Sequence, residues 1–441
     1  MAELPGAAST PPLAPPPETT FGYWQRKNDE LALLREHLGL GPGPAVVTVP
    51  DLVREKLALR SALLIRFVEE HPLLTESNLG PEAALALDGA RVGFTYQRYD
   101  TKVHRRPFAP WFYPALGSAD LGSLGFLTAS GMSSVSAALT ALDLMHSEAR
   151  PLYMAPGTYF ETRQYAREYL RHLHTEIELP GVLANCGVLL LDSICAGNPL
   201  AWLAGRPLAG LCAVLLDTTC YDVSAPEIVR LVERCRVEGV PCVLLRSHVK
   251  IDSLGLEYGR LGSIVIIVPR PCDGWRGRFV QALRRRLGDF LYKVGAGFSL
   301  SSYFPLTTNP GCRRLNQRRN ELASEFNLRC AVTLSRILQR RSAVRVGAYH
   351  HGRFFFLRLP AGAGSTPGEV PALGNALLEA GVFARPAPSF GYDFAAVTQM
   401  IEPQHPGGLS LRLSLPDYPA DLLDPCIEAI ARFAIELAPL Q

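Results

Sequence analysis

The pattern of hydrophobic and polar residues divides the chain into distinct parts. From about residue 21 to 71, apolar residues recur at spacings of three and four, as in NDELALLREHLGL, which predicts an N-terminal arm of helices. Between about residues 125 and 270, short runs of Val, Leu and Ile alternate with amphipathic segments. Apolar runs separated by helices are typical of a parallel sheet covered by helices on both faces. We therefore predict a large α/β domain in this part of the chain.

The flanks of this domain have different textures. After Arg341, strand-like runs such as RFFFLRLP and LSLRLSLP alternate with helical segments, which predicts a small C-terminal α+β domain. The first residues are rich in Pro, Ala and Thr and lack the basic start and apolar core of a signal peptide, so we expect a disordered tail. The predicted divisions are residues 1–20 for the tail, 21–90 for the helical arm, 91–310 for the large domain and 311–441 for the small domain.

Composition narrows the classes of function. The 441 residues suit a large enzyme subunit, and 44 Lys and Arg against 41 Asp and Glu leave a net charge of only +3. That charge gives no drive toward nucleic acid or an anionic membrane, and no apolar run approaches the roughly 18 to 20 residues of a membrane span. The ten cysteines are scattered through apolar runs without metal-type spacing. We therefore expect reduced thiols in a cytoplasmic protein and no metal site.

Residues that can do chemistry follow several of the apolar runs. Ser130-Gly131-Met132 follows GFLTA and precedes a helix, and such a turn offers backbone N–H groups and the helix dipole to a phosphate. Asp217 follows LCAVLL, whereas Ser247 and Lys250 follow PCVLL. Because ligands of open α/β sheets bind at the carboxyl ends of strands, we expect these residues to meet. Each alone is commonly a cap, a turn or a solvated side chain, but as a set, with Arg412, they suit pyridoxal phosphate.

With these residues the chain resembles the fold-type-I pyridoxal-phosphate enzymes, in particular the cystathionine γ-synthase-like enzymes of Cys/Met metabolism. Ser130-Gly131-Met132 resembles their phosphate loop, and Lys250, with Ser247 three residues before it, resembles their Schiff-base lysine. Asp217 resembles the Asp that pairs with the pyridinium nitrogen, and Arg412 the arginine that holds the substrate carboxylate. The resemblance implies an α/β fold with a mostly parallel seven-stranded sheet between helices.

Further matches extend the resemblance over residues 96 to 412. Tyr96 and Arg98 resemble a segment that reaches the phosphate of a neighbouring subunit, and Tyr159 resembles the Tyr that stacks on the cofactor ring. Asn198 resembles the Asn beside the cofactor's phenolic oxygen, and Ser389 begins a Ser-Phe-Gly turn similar to one near the substrate. The resemblance implies a homodimer or homotetramer with shared sites, in which Tyr159 and Tyr96 assist the catalytic lysine.

The segment around the lysine departs from the family pattern. Val249 stands where the family has a Thr, and IDSLGLEYGRLGS after Lys250 lacks the family's Gly-His-Ser-Asp. Arg260, in Gly-Arg-Leu-Gly, is similar to the phosphate-binding arginine of aminotransferases, so we include it in the predicted phosphate site. These departures indicate a divergent member of the family and permit a place in a natural-product pathway.

The resemblance implies a class of reaction but leaves the substrates open. It implies γ-elimination or γ-replacement on an amino acid through a vinylglycine-type ketimine and quinonoid, with S-adenosylmethionine, an acylated homoserine or cystathionine as the donor. The second co-substrate is a small molecule, which can be a nucleotide. It supplies the sulfur or carbon atom that replaces the γ-substituent. An aminotransferase or a β-eliminating C–S lyase of the same fold is the second hypothesis. The third is a cofactor-free binding or regulatory protein.

Overall fold

A computed structural model gives the structure of most of the chain. It describes residues 18–70, 83–87, 90–94, 112–116, 121–155, 157–176, 183, 187–195, 197–203, 205–269, 274–298, 302–360, 368–400 and 410–439. Residues 1–17 of the predicted tail lie outside these ranges, as do Tyr96 and Arg98.

Two helices open the described part of the chain. They are α1 (Thr20–His37) and α2 (Val49–Glu70), and the Thr19 side chain caps α1 by accepting a hydrogen bond from the Gly22 N–H. A hairpin of β1 (Ala83–Leu87) and β2 (Ala90–Phe94) follows. The helices lie where the spacing of apolar residues predicts them, whereas the hairpin was not expected in the range assigned to the helical arm.

A mixed sheet of seven strands forms the centre of the molecule. Its strands are β3 (Leu121–Thr128), β4 (Arg150–Met154), β5 (Leu173–Glu176), β6 (Gly187–Asp192), β7 (Leu211–Asp217), β8 (Cys242–Ser247) and β9 (Gly262–Pro269). They lie in the order β3-β9-β8-β7-β6-β4-β5. Strand β9 runs antiparallel to both neighbours, and the other strands run parallel to one another. The sheet therefore has the strand number and the mostly parallel direction that the family resemblance implies.

Helices pack against this sheet and explain its continuous apolar runs. They are α3 (Gly131–Asp143), α4 (Phe160–Tyr169), α5 (Pro226–Val237) and α6 (Gly274–Val294). Every residue of β6 is buried, because alternate side chains enter two separate apolar cores on the two faces. Burial on both faces leaves only the strand ends free to present polar side chains.

A second sheet of five strands follows in the C-terminal part. Its order is β10-β11-β14-β13-β12, from β10 (Arg345–Ala348), β11 (Phe355–Arg358), β12 (Ala384–Pro386), β13 (Ala395–Met400) and β14 (Ser410–Ser414). Helices α7 (Pro310–Leu338), α8 (Glu369–Glu379) and α9 (Leu423–Leu437) share an apolar core with it. The α/β class is thus confirmed, while the exact divisions at residues 90 and 310 stay predictions.

A buried cluster of ion pairs joins the N-terminal helices to the C-terminal part. Lys27 of α1 donates to Asp393 at 2.7 Å and to Asp417, and Lys56 of α2 donates to Asp393 at 2.7 Å. Helix α7 contributes Arg319. The whole set, here called the buried ion-pair cluster, is Glu18, Arg26, Lys27, Glu30, Lys56, Arg319, Asp393 and Asp417. Four cations and four carboxylates balance one another in it.

Two further features concern the cysteines and the lengths of the helices. The eight cysteines within the described ranges are all buried free thiols: Cys195, Cys212, Cys220, Cys235, Cys242, Cys312, Cys330 and Cys426. Within those ranges, the helices are all too short or too polar to cross a bilayer.

Candidate active site

The carboxyl edge of the large sheet gathers most of the predicted site. Strands β3, β4, β6, β7 and β8 run in the same direction, so their carboxyl ends lie along one edge. Ser130 follows β3 and Tyr159 follows β4, whereas Asp217 and Ser247 end β7 and β8. Residues that are more than a hundred positions apart in the sequence thus share one edge of the sheet.

The Ser130 turn is packed tightly against the neighbouring strands. Ser130 caps α3, because its Oγ accepts the Ser133 N–H at 3.0 Å. A Cβ added to Gly131 would lie 2.6 Å from the Ser247 Cβ, and one added to Gly262 would lie 2.2 Å from the Ser130 carbonyl oxygen. Only glycine permits these approaches. They hold the helix N-terminus, a good anion site, against the strand that leads to Lys250.

Met132 links this turn to the next helix. Its Sδ lies 3.9 Å from the Thr162 hydroxyl, which donates to it from α4. Tyr159 stands at the N-cap position of the same helix, and its ring packs on that of Phe160 with centroids 4.8 Å apart. Burial raises the pKa of the Tyr159 phenol to about 12, so the phenol is neutral at ordinary pH. The Ser130 turn and Tyr159, which are predicted to lie beside the cofactor, are therefore both connected to α4.

Two carboxyl groups meet at the centre of the edge. Asp192 and Asp217 are register partners on β6 and β7. Asp192 accepts the Tyr159 N–H at 3.0 Å and the Ile194 N–H at 2.9 Å, and Asp217 accepts the Thr219 N–H at 2.9 Å. Burial and the charge of Asp217 raise the pKa of Asp192 to about 8, and burial also raises that of Asp217. A cationic N–H group, such as a protonated ring nitrogen, would be stabilised here.

Asp192 is a site residue that the sequence analysis missed. It ends the apolar run GVLLLD in the same way that Asp217 ends LCAVLLD. This shared position at the end of an apolar run was the sequence signal that could have identified Asp192. A carboxylate at the end of a buried strand in a parallel sheet points to the edge where ligands bind.

Lys250 lies beyond the end of β8 and reaches the C-terminal part of the chain. Its Nζ donates to the Ser389 Oγ at 2.6 Å and lies 5.8 Å from the centre of the Phe390 ring. Gly391 has φ +88°, and a Cβ there would lie 2.0 Å from the Lys250 carbonyl oxygen, so this turn packs directly on the lysine. Burial lowers the pKa of the Lys250 ammonium, which increases the share of nucleophilic free amine.

The five lysines of the sequence differ clearly in their surroundings. Lys27 and Lys56 are held in the buried ion-pair cluster, and Lys293 is exposed on α6. Lys102 lies outside the described residues. Among the four lysines that the structure describes, Lys250 alone lies at the carboxyl edge of the large sheet.

Arg412 completes the described site from β14. It is buried, and one of its NH₂ groups donates to the Pro388 and Ser389 carbonyls at 2.7 and 3.1 Å. Its Nε is also buried, and none of the described residues supplies a hydrogen-bond acceptor for it. Burial lowers the pKa of this guanidinium, whereas nearby Tyr159 raises it. A buried donor without an acceptor is costly, and a substrate carboxylate would satisfy it.

Asn198 and Arg260 are less firmly connected to this group. The Asn198 Oδ1 accepts the Leu200 N–H at 2.9 Å, which leaves its amide N–H₂ group for a ligand. Arg260 is exposed, and within the described residues no hydrogen bond or ion pair holds its side chain. The predicted phosphate contact of Arg260 stays a prediction, as do the roles of Tyr96 and Arg98.

A hydrogen-bonded series of Ser, His and Asp supports the segment that carries the lysine. His248 Nδ1 lies 2.7 Å from the Asp252 Oδ2, and its Nε2 lies 2.8 Å from the Ser263 Oγ. Arg246 also binds Asp252, at 2.6 Å. Because Ser263 is 0% exposed, a substrate carbonyl cannot reach it as it would reach a hydrolase nucleophile. The series instead fixes the backbone on both sides of Lys250.

Comparisons with known proteins identify the fold. Neither a family model nor a curated protein matches the chain. Among solved structures, metB from Corynebacterium glutamicum superposes with a TM-score of 0.52 and 13% identity, over 79% of this chain and 90% of that one. Cystathionine gamma-lyase from yeast gives 0.48 and 13% over 80% and 90% of the two chains. Apo CalE6, a methionine gamma lyase from Micromonospora echinospora, gives 0.47 and 15% over 78% and 90%. The match with metB confirms the predicted fold, and this chain shares it.

Proposed function

We propose that the protein is a pyridoxal-phosphate-dependent enzyme that eliminates or replaces a γ-substituent of an amino acid. The observation that carries the proposal is the pair of Asp217 and Lys250 at one sheet edge, on and just beyond neighbouring strands. A partly buried lysine of lowered pKa and a carboxylate for the ring nitrogen are the two groups that this cofactor chemistry needs most. The shared fold with metB supports the same conclusion.

The residues present fit the cofactor group by group. When bound, pyridoxal phosphate supplies an electron sink for negative charge at the substrate Cα. The Ser130 turn offers N–H groups to the phosphate, and Asp217, next to Asp192, holds a ring N–H. Tyr159 would flank the cofactor ring, and Asn198 would offer its amide to the phenolic oxygen. Lys250 supplies the amine for the cofactor aldehyde.

The substrate is held and deprotonated by groups on both parts of the chain. Arg412 binds the α-carboxylate through its unpaired Nε–H, beside the Ser389 turn. Lys250 would take the proton from the substrate Cα, and its lowered pKa increases the share of the free amine that can act as a base. Tyr159 and, from a neighbouring subunit, Tyr96 assist the departure of the γ-substituent.

The finer points of the proposal rest on the sequence resemblance. We infer that the donor is an acylated homoserine, cystathionine or S-adenosylmethionine, and that a second small molecule accepts the vinylglycine unit through sulfur or carbon. A homodimer or homotetramer brings Tyr96 and Arg98 to the phosphate of a neighbouring site. The buried free thiols favour a reducing compartment such as the cytoplasm.

The test is a donor panel with the purified protein and added pyridoxal phosphate. We expect release of 2-oxobutanoate, or capture by an added thiol, from one of O-acetyl-L-homoserine, L-cystathionine and S-adenosyl-L-methionine. Lys250→Ala should abolish it, whereas Lys293→Ala, which changes an exposed lysine on α6, should not.

Three other outcomes would contradict the proposal. Pyridoxamine phosphate formed with 2-oxoglutarate would indicate an aminotransferase, and pyruvate formed from cysteine conjugates would indicate a β-eliminating lyase. A protein that binds no pyridoxal phosphate would be the cofactor-free binding protein.

A further inference from the structure

A series of polar side chains leads from Lys250 away from the large sheet. The Lys250 Nζ donates to the Ser389 Oγ at 2.6 Å, and the Tyr392 hydroxyl donates to the Glu257 Oε1 at 3.0 Å. Between these two bonds, the Ser389 hydroxyl lies near enough to the Tyr392 phenol to lower the pKa of that phenol. Both bonds point the same way, from the ammonium group toward the carboxylate.

The backbone at the far end of this series is in an unusual conformation. Glu257 has φ +47° and Leu254 has φ +53°, in the left-handed region that residues other than glycine rarely adopt. Gly255 and Gly259, with φ +78° and +61°, turn the same loop. Such conformations persist only where the surrounding structure enforces them, and they are concentrated at functional sites.

The Tyr392 ring is also held firmly. It stacks on the Phe394 ring with centroids 4.6 Å apart and planes 12° from parallel. Between them in the sequence lies Asp393, which Lys27 and Lys56 bind at 2.7 Å each. The phenol therefore stays between Ser389 and Glu257 without support from a ligand.

A small cavity opens at the end of the series. Its volume is about 180 Å³, and Glu257 and Tyr392 both line it. The charged groups that face Glu257 there are Arg60 from α2 and Arg385 from β12, together with the paired Lys56 and Asp393. A cavity of this size holds several water molecules, so the carboxylate can exchange a proton with water.

We propose that Ser389, Tyr392 and Glu257 relay a proton between Lys250 and this cavity. The Lys250 ammonium gives a proton to Ser389, the Ser389 hydroxyl proton passes to Tyr392, and the phenol proton passes to Glu257. The ammonium becomes a neutral amine, the carboxylate becomes a carboxylic acid, and both hydroxyls are restored. Glu257 then releases the proton to water. The relay rests on the proposed function, because it serves Lys250 as the reactive amine.

Such a relay would remove the proton that Lys250 must lose during the reaction. Lys250 must lose a proton before it can act as a nucleophile or base, and its half-buried amine already donates a hydrogen bond to Ser389 beside the Phe390 ring. Ser389 and Arg412 are also expected to face the substrate, so the substrate side is blocked during turnover. Tyr392 and Glu257 therefore act on the reaction indirectly, by setting the protonation of Lys250.

The first test measures Lys250 in the protein without cofactor. Acetylation of Lys250 by acetic anhydride is followed by mass spectrometry across pH, and its midpoint gives the pKa of the amine. Glu257 raises the pKa of Lys250, so Glu257→Gln should lower the midpoint by about half a unit or more, and Glu257→Asp should restore most of the shift. Tyr169→Phe, which changes an exposed tyrosine on α4, is the control and should leave the midpoint unchanged.

The second test measures proton transfer with cofactor bound. Exchange of the Cα hydrogen of a bound amino acid with deuterium from D₂O should slow at least about tenfold in Tyr392→Phe, which keeps the ring but removes the hydroxyl. Imidazole or formate, small enough for the cavity, should restore part of that rate. An unshifted midpoint in Glu257→Gln, or a loss in Tyr392→Phe that no small acid or base restores, would overturn the relay. Failure of the proposed function would show separately, as a protein without bound pyridoxal phosphate.

Discussion

At the scale of single residues, burial gives the site its chemistry. Asp192 and Asp217 lie side by side, where burial raises the pKa values of both carboxyl groups, and Arg412 has a buried Nε–H for which the described residues supply no acceptor. Burying each of these groups costs free energy, and a bound ligand of complementary charge would reduce that cost. The pattern suits the proposed ligands, which are a cofactor with a cationic ring nitrogen and an amino acid with a carboxylate.

Because Asp192 and Asp217 repel each other, we predict that Asp217→Asn stabilises the protein measured without cofactor and weakens cofactor binding. The folded pKa of Asp192, about 8, exceeds its unfolded value, so the folded state holds an extra proton and stability falls as pH rises from about 4 to 8. Removing the Asp217 charge should recover about 1 kcal/mol or more at pH 8. Urea unfolding checks the gain and a pyridoxal phosphate titration checks the loss. A destabilised variant that still binds cofactor normally would contradict this account.

Arg412→Lys should raise the KM for the amino-acid substrate about tenfold or more with a smaller change in kcat. A lysine loses the planar fork of donors, and a charged hydrogen bond contributes about 1.5 to 3 kcal/mol. Steady-state kinetics across substrate concentration measure the change. Arg432→Lys, on the exposed face of α9, is the matched control. An unchanged KM would remove Arg412 from the carboxylate site.

At the scale of elements, α1 and α2 depend on buried charge. Lys27 is 0% exposed and pairs with Asp393 and Asp417, so Lys27→Met should leave the four carboxylates of the cluster with only three cations. Breaking such a pair costs about 3 to 5 kcal/mol. Urea unfolding measures it, with Arg54→Met, in an exposed pair, as a control that should change stability by less than about 1 kcal/mol. Equal effects of the two variants would refute the structural role of the cluster.

The same cluster predicts acid sensitivity. The neighbouring cations hold the pKa values of Asp393 and Asp417 well below their ordinary range. Their contribution to stability is therefore complete above the unfolded pKa of about 3.9 and is lost progressively as pH falls below it. Thermal unfolding between pH 3 and 6 should show a steep loss below about pH 4 in the native chain and a shallower one in Asp393→Asn. A parallel loss in both would contradict the prediction.

The sequence predicts the elements better than it predicts their connections. Apolar runs marked the central strands, and the residues after them marked Asp217 and Lys250, because a parallel sheet exposes only its strand ends. The pairing of Lys27 with Asp393 could not be predicted, since charges on an amphipathic helix usually face water and the partner lies 366 residues away. The Tyr392 and Glu257 contact depends on a left-handed backbone at a non-glycine residue, which no local sequence pattern indicates.

At the scale of the whole molecule, we propose that each active site is shared between two chains. Arg98 lies outside the described residues, and we predict that it reaches the phosphate of a neighbouring subunit. Arg98→Ala and Lys250→Ala should each be inactive alone, whereas co-assembled chains should recover activity, because each mixed pair contains one complete site. Activity of the mixture against each variant, at equal total protein, measures this. A mixture as inactive as its components would place Arg98 in its own chain's site or outside it.

The most direct test of the central claim is to locate the bound cofactor. The purified protein is incubated with pyridoxal phosphate, reduced with borohydride, digested and mapped by mass spectrometry. We predict one phosphopyridoxyl group, on Lys250, that is absent from Lys250→Ala and unaffected by Lys293→Ala. No attached group, or a group on another of the five lysines, would contradict the assignment of this site.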